Sequence, residues 1–234
     1  MNDLTFSILD VAAEQFSVTP RLIARIGIAA GDDDPIQAIA LRCQIRVEPL
    51  RRSYSDDEAD GLLDLFGPRE RWANTQRTFL WQHSTAIVQG FTGATELTMP
   101  LECTYDFEVA ASKYLHALRD GTIPLLFLFS GTVFVPGERG FSVHQVSWEC
   151  EAQHELPVAV WSDLVRIHYP NAGWVRLGHD TVAALAAYKS ARGMLDFEDA
   201  VTTLLAEAPS LEVKTAPEGR SGATREMTAP EQVR

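Results

Sequence analysis

The chain has 234 residues, with 20 Lys+Arg against 32 Asp+Glu, a formal charge of -12, and 46% hydrophobic residues. That length allows one large domain or two small ones, and the balance is that of a soluble globular protein. Residues 208–234 hold four acids and four cations, so the remaining 28 acids and 16 cations carry the whole excess. A field of that sign repels phosphate backbones and anionic lipids, which excludes nucleic acid and membrane insertion as expected partners. Three widely spaced cysteines and an N-terminus without a basic or apolar leader point to reduced thiols in a cytoplasm.

In chain order, Phe6 and Ile8 begin an alternating pattern. Leu22, Ala24, Ile26 and Ile28 then share one face of a second strand. Gly31-Asp32-Asp33-Asp34-Pro35 reads as a turn. After it Ile39, Leu41, Cys43, Ile45 and Val47 point one way and Arg42, Gln44, Arg46 and Glu48 the other, as in an antiparallel sheet with one wet face. Ser55-Asp56-Asp57-Glu58 has capping-box spacing and opens a helix expected to bury Leu62, Leu63, Leu65 and Phe66. Gly67-Pro68 ends that helix and starts another, with Trp72, Phe79, Leu80 and Trp81 as its apolar contacts.

Residues 95–107 alternate again as a strand, and Val109 to Leu118 reads as a helix stopped at Asp120-Gly121. Ile123 to Val135 is apolar on both faces, which predicts a central strand covered on both sides. With 13 residues it falls short of the roughly 20 that a membrane-spanning helix needs. A further strand is expected to carry His144, Val146, Trp148 and Cys150 on one face. Pro157 opens a mostly helical C-terminal third in which Asp180 and Asp196 cap helices. The fold class is therefore α+β, with antiparallel sheet, a helical insert and a helical C-terminal third. One domain spans residues 1–208, and the polar residues 209–234 form a disordered tail.

Phosphate-loop, nucleophile-elbow, dinucleotide and zinc-protease signatures are absent from the sequence, so no catalytic residue and no cofactor is assigned. Ser130-Gly131-Thr132 lies inside an apolar strand, where glycine suits close approach of another backbone. Cys43, Cys103 and Cys150 with His144 have the chemistry of a soft-metal or iron–sulfur site, but their spacing supplies no paired ligands from one short loop. Inert core thiols are the alternative. Glu102, Asp106 and Glu108 form an acidic face that reads as a solvated strand edge. In so acidic a chain, Arg42, Gln44, Arg46, Arg51 and Arg52 stand out. On a strand Arg42, Gln44 and Arg46 line one face at about 6.6–7 Å spacing, a ribbon of donors that reads as a docking surface for an acidic partner. Internal pairing with residues 56–58, or with Glu102 and Asp106, competes with that reading.

The stretches Ala38–Arg46, Asp64-Leu65-Phe66-Gly67-Pro68, Phe91-Thr92-Gly93, Cys103-Thr104-Tyr105-Asp106 and Asp120–Phe134 carry a likeness over nearly all of residues 4–207. They resemble a bacterial family of uncharacterised proteins often encoded near nickel–iron hydrogenase and accessory genes. The resemblance implies a non-catalytic accessory protein in hydrogenase assembly or maturation, with a hydrogenase subunit or accessory protein as partner. A fainter similarity, to the export chaperone SecB, rests on the helix Val109–Leu118, the Gly121-to-Pro124 turn and the apolar strand Leu125–Val135. The alternatives are a metal- or iron–sulfur-handling protein or enzyme, and a structural subunit of a larger complex, including a homo-oligomer.

Overall fold

Alternation of apolar and polar residues becomes paired strand as far as Pro157 in the computed structural model, which describes residues 4–31, 35–103, 109–137, 140–169 and 177–208. Strand β1 (Leu4–Ala13) pairs with β2 (Arg21–Ala30), and β5 (Ala94–Glu102) joins the far side of β2 to complete a three-stranded antiparallel sheet. The second sheet has five strands. At its centre β3 (Ile36–Val47) lies between β4 (Phe79–Phe91) and β6 (Thr122–Gly137). Two shorter strands, β7 (Gly140–Gln145) and β8 (Glu151–Pro157), pair with the two halves of the same edge of β6. The chain changes sheet after β2, after β4 and after β5.

The sheets face each other across one core, as in a β-sandwich. Leu22, Ala24, Ile26 and Ile28 line one inner face; Ile39, Leu41, Cys43, Ile45, Val47, Phe127 and Phe129 line the other. Phe6 of β1 stacks on Phe129 of β6 with ring centroids 4.3 Å apart. Each large side chain buried this way stabilises the fold by about 1.5–3 kcal/mol relative to leaving it in water.

Short helices α1 (Asp56–Gly61), α2 (Leu63–Phe66) and α3 (Trp72–Thr75) form the insert between β3 and β4. The capping box is present, with the Glu58 amide donating to Ser55 Oγ and the Ser55 amide to Glu58. Tyr54, Phe66, Trp72 and Phe79 meet Tyr114 of α4 (Val109–Ala117) or one another edge-on, with centroids 5.1–6.4 Å apart. Trp161 of α5 (Val158–His168) packs edge-on against Trp81 and His116 at that end of the sandwich.

Several expectations are corrected. The helix starting near Pro68 ends at Thr75, and Phe79, Leu80 and Trp81 belong to β4. Residues 79–91 are rich in aromatic and β-branched types, and β3 offers them a full-length partner, so pairing prevails over helix continuation. Leu63 is exposed, while Leu62 and Phe66 are buried. Strand β6 is central, and its Ile123, Leu125, Phe127, Phe129 and Val133 face is deeply buried; on the other face Pro124 is buried but Ser130 is exposed. Trp148 and Cys150 sit in the break between β7 and β8, not on a strand. The polar run Glu151–Pro157 is a strand because the lower edge of β6 needs a partner. Asp106 and Glu108 of the acidic face and the tail over 209–234 lie outside the described residues.

Where the sequence suggests one domain over residues 1–208, internal contacts divide the chain into two compact units, residues 1–173 and 174–234. The second holds α6 (His179–Ala191) and α7 (Phe197–Glu207). Asp196 caps α7 by accepting from the Asp199 amide, as its position predicts. Asp180 lies in the first turn of α6, where Gly178 is the cap residue. The two helices are joined by the Arg192–Glu207 ion pair and by Tyr188 Oη donating to Glu207 at 3.3 Å. Among the described residues of the chain no helix is long and apolar enough to cross a membrane.

Candidate functional site

Strand register fixes a grid of side chains on the outer face of the five-stranded sheet. Arg42 of β3 stands between Thr85 of β4 and Ser130 of β6. One row along, Ala40 stands between Ile87 and Thr132, and Gln145 of β7 pairs beside Thr132. The next row places Ala38 between Gln89 and Phe134, with Val143 beyond. In the other direction Gln44 stands between His83 and Leu128, and Arg46 between Leu80 and Leu126.

Small side chains along the middle of this grid leave a trough of about 610 Å³ lined by Ala40, Arg42, Thr85, Ile87, Thr132 and Gln145, among others. Its floor depends on Gly131. The backbone there has φ +150°, and a Cβ would lie 2.2 Å from the Ala40 carbonyl oxygen, so only glycine fits. This is the close backbone approach expected from the Ser-Gly-Thr run. The rim is apolar at one end: Ile87, Phe141 and Val143 are 62%, 60% and 51% exposed, and Phe134 meets Phe141 edge-on at 5.5 Å. Trp148, in the break alongside Ser130 and Gly131, is 86% exposed.

The five partner-binding candidates do not form one strip. Arg42 is exposed and, among the described residues, has no ion pair or hydrogen bond. Gln44 Nε2 lies 3.3 Å from His83 Nε2. Arg46 is half-buried, donates to the Thr78 carbonyl at 3.4 Å, and keeps its Nε buried without a partner. Arg51 pairs with Glu48 at 2.9 Å and Glu155 at 3.2 Å.

Arg52 is removed from any docking role, because it is buried against Glu58 with side chains 7% and 1% exposed and 2.8 Å apart. Its other N–H groups donate to the carbonyls of Ser53, Thr122 and Asp120, and its guanidinium lies 4.9 Å from the Tyr54 ring centre. Burial would raise the Glu58 carboxyl, but donation from the Arg119 and Ser55 amides and from Arg52 outweighs it and holds the group below its ordinary range. This network joins the helical insert to the start of β6; internal pairing with the helix start is what the sequence alternative expected.

The metal candidates are not brought together. Cys43 points into the core from β3, Cys103 follows β5 with its thiol donating to the Leu101 carbonyl, and Cys150 donates to the Leu4 carbonyl across the sandwich. His144 is exposed on β7 beside Ser142. Among the described residues no three His, Cys, Asp or Glu side chains are grouped to hold a metal. Burial pushes the Cys43 thiol up to about 12, and burial, helped by Glu102, takes Cys103 to about 12 as well. Neither thiol is an available nucleophile at neutral pH.

Sequence reasoning found Arg42 and the Ser130-Gly131-Thr132 run, but missed Ile87, Phe141, Val143 and Trp148. The missed signal is the pairing of apolar residues with polar neighbours on a face already assigned to solvent.

No curated protein matches the chain. Among solved structures, a β-glucosidase from Kluyveromyces marxianus aligns at 11% identity and TM-score 0.24, covering 67% of this chain and 15% of that one. β-Glucosidase 3B from Thermotoga neapolitana, in complex with α-D-glucose, aligns at 7% identity and TM-score 0.25, covering 66% and 17%. The chain thus spans less than a fifth of those enzymes, and similarity at this level carries no argument about fold or activity. One family model matches residues 1–212, and the chain belongs to that family, DUF6084, a family of unknown function.

Proposed function

We propose that the protein is a non-catalytic binding module that holds a partner polypeptide on the outer face of its five-stranded sheet. The observation that carries this reading is Arg42: an exposed guanidinium without a partner among the described residues, set in a small-residue trough on a chain of net charge -12. An isolated cation on an acidic body favours an acidic partner, and a trough with an apolar rim gives it area to bury. The sequence resemblance makes a nickel–iron hydrogenase subunit or accessory protein the first candidate, with a role in assembly or maturation inside the cytoplasm.

Affinity capture from the native host with the tagged protein, after mild cross-linking, tests the reading. Recovery of a hydrogenase component cross-linked to β3, β4 or β7 supports it. Capture of no polypeptide from cells expressing hydrogenase refutes it. The metal-handling alternative loses support from the separation of Cys43, Cys103, Cys150 and His144, and elemental analysis of anaerobically purified protein tests it directly.

A further inference from the structure

Resting on that reading, we infer that the trough recognises an extended peptide segment by one carboxylate and two alternate apolar side chains. The carboxylate lies over Arg42, and the apolar side chains lie over the next two rows of the grid. Three independent features converge here. The first is charge: Arg21 and Arg25 on the opposite sheet pair with Glu102 and Glu96, whereas Arg42 meets no acid among the described residues. The hydroxyls of Thr85 and Ser130 flank it in register, so a carboxylate there gains donors from three strands. The second is shape, since Ala40 and Gly131 keep the floor low where a sheet surface ordinarily carries longer polar side chains. The third is the exposed apolar rim of Ile87, Phe141 and Val143, which gives apolar side chains area to bury beside the arginine.

The grid sets the spacing. Rows on one face of a strand repeat every two residues, about 6.6–7 Å, and an extended peptide repeats its own side chains at the same interval. A carboxylate over the Arg42 row therefore places the residue two positions away over Ile87 and Ala40, and the residue four positions away over Phe134 and Val143. Direction follows from where the apolar surface lies: Ile87, Phe134 and Val143 are on one side of Arg42, whereas Gln44, His83 and Arg46 on the other side are polar. The recognised pattern is acidic–x–apolar–x–apolar, with the acid at the Arg42 end.

The test uses the full chain and two synthetic peptides, acetyl-Asp-Ser-Leu-Ser-Leu-amide and its reverse, Leu-Ser-Leu-Ser-Asp, with equally blocked ends. Titration is followed by backbone amide NMR shifts and by indole fluorescence. The expected result is saturable binding of at least one peptide, with shifts at Gly131, Thr132 and Val143. Asp-to-Asn peptides and Arg42→Gln should each weaken it at least tenfold. Arg42→Glu should lose the Asp peptide and gain the one with Lys in its place. Arg42 is exposed, so these variants fold; Val143→Ser provides a second variant that keeps the cation and removes apolar contact, and it too should weaken binding. Equal binding of Asp and Asn peptides, shifts confined to another surface, or no binding of either peptide overturns the inference. If the wild-type chain captures a polypeptide from its host and Arg42→Gln captures it equally, this recognition fails while the partner-binding reading stands. Capture of nothing refutes the reading itself.

Discussion

Removing the Glu58 carboxylate should be among the most damaging single changes in the sandwich unit, although Glu58 touches neither the trough nor the main core. In Glu58→Ala, Arg52 keeps its charge at a site where its side chain is 7% exposed, and the Ser55 and Arg119 amides lose their acceptors. Breaking a buried pair by deleting one partner costs about 3–5 kcal/mol. With a urea dependence near 2 kcal/mol/M, the unfolding midpoint should fall by roughly 1.5–2.5 M. Glu58→Gln retains one acceptor oxygen and the shape, so a smaller loss of about 1.5–3 kcal/mol is expected. The exposed Arg25–Glu96 pair is the control: Glu96→Ala should leave the unfolding midpoint nearly unchanged. The carboxyl of Glu58 is held below its ordinary value of 4.5 in the folded chain. Its contribution is therefore complete above that value and is lost as the pH falls through the lower folded value. Urea titrations followed by tryptophan fluorescence should show the gap between wild type and Glu58→Gln constant from pH 7 to pH 5 and shrinking below about 4.5. A Glu58→Ala variant within 1 kcal/mol of wild type, or a gap that widens in acid, would refute the assignment of Arg52 and Glu58 as a buried structural pair.

Three further outcomes follow from the same geometry. Gly131→Ala should lower stability by about 1–3 kcal/mol or more, because its Cβ meets the Ala40 carbonyl in a backbone conformation that L residues avoid; thermal melting measures it, and an unchanged midpoint contradicts the close approach. Phe6→Ala should cost about 3–5 kcal/mol through loss of the stack on Phe129 between the sheets, and denaturant unfolding reads it directly. In the native protein a thiol reagent at pH 7.5 should modify Cys150, which is half-buried, well before Cys43 or Cys103, whose thiols are buried and pushed up to about 12; peptide mass mapping after timed quenching distinguishes the three.

Most strands were legible because their alternation is a property of the residues themselves. Ile39 to Val47 announces a half-buried strand before any partner is known, and its burial follows that pattern residue by residue. Ser55 and Glu58 likewise announce a helix start because both hydrogen bonds of the box are local. Strands β4 and β8 were hidden for the opposite reason. Residues 79–81 continue a helical-looking apolar spacing, and Glu-Ala-Gln-His-Glu is a sequence of ordinary helix formers. What makes them strands is β3 and the lower edge of β6, both remote in sequence. The bulge where Ile45 pairs with Gln82 and Arg46 with Leu80 also buries Trp81 and Gln82 together, which no strict alternation would anticipate.

The site shows a sharper form of the same limit. In sequence, Arg42, Arg46, Arg51 and Arg52 are equivalent cations within eleven residues. Their fates are decided by which acid the fold delivers: Glu58 through a local cap, Glu155 through β8, and, among the described residues, none for Arg42, which faces Thr85 and Ser130. Whether a cation is available to a partner is thus a statement about the far side of each strand pair. The charge total has the same character. A net -12 argues for repulsion of anions from the molecule as a whole, yet the potential felt by a bound group is set within a Debye length of about 8–10 Å. The register neighbours of Arg42 are Thr85 and Ser130 across the strands and Ala40 and Gln44 along β3, none of them charged. An acidic protein can therefore select an acidic segment at one point while rejecting anionic surfaces everywhere else, which converts the overall charge from an obstacle to binding into a source of specificity.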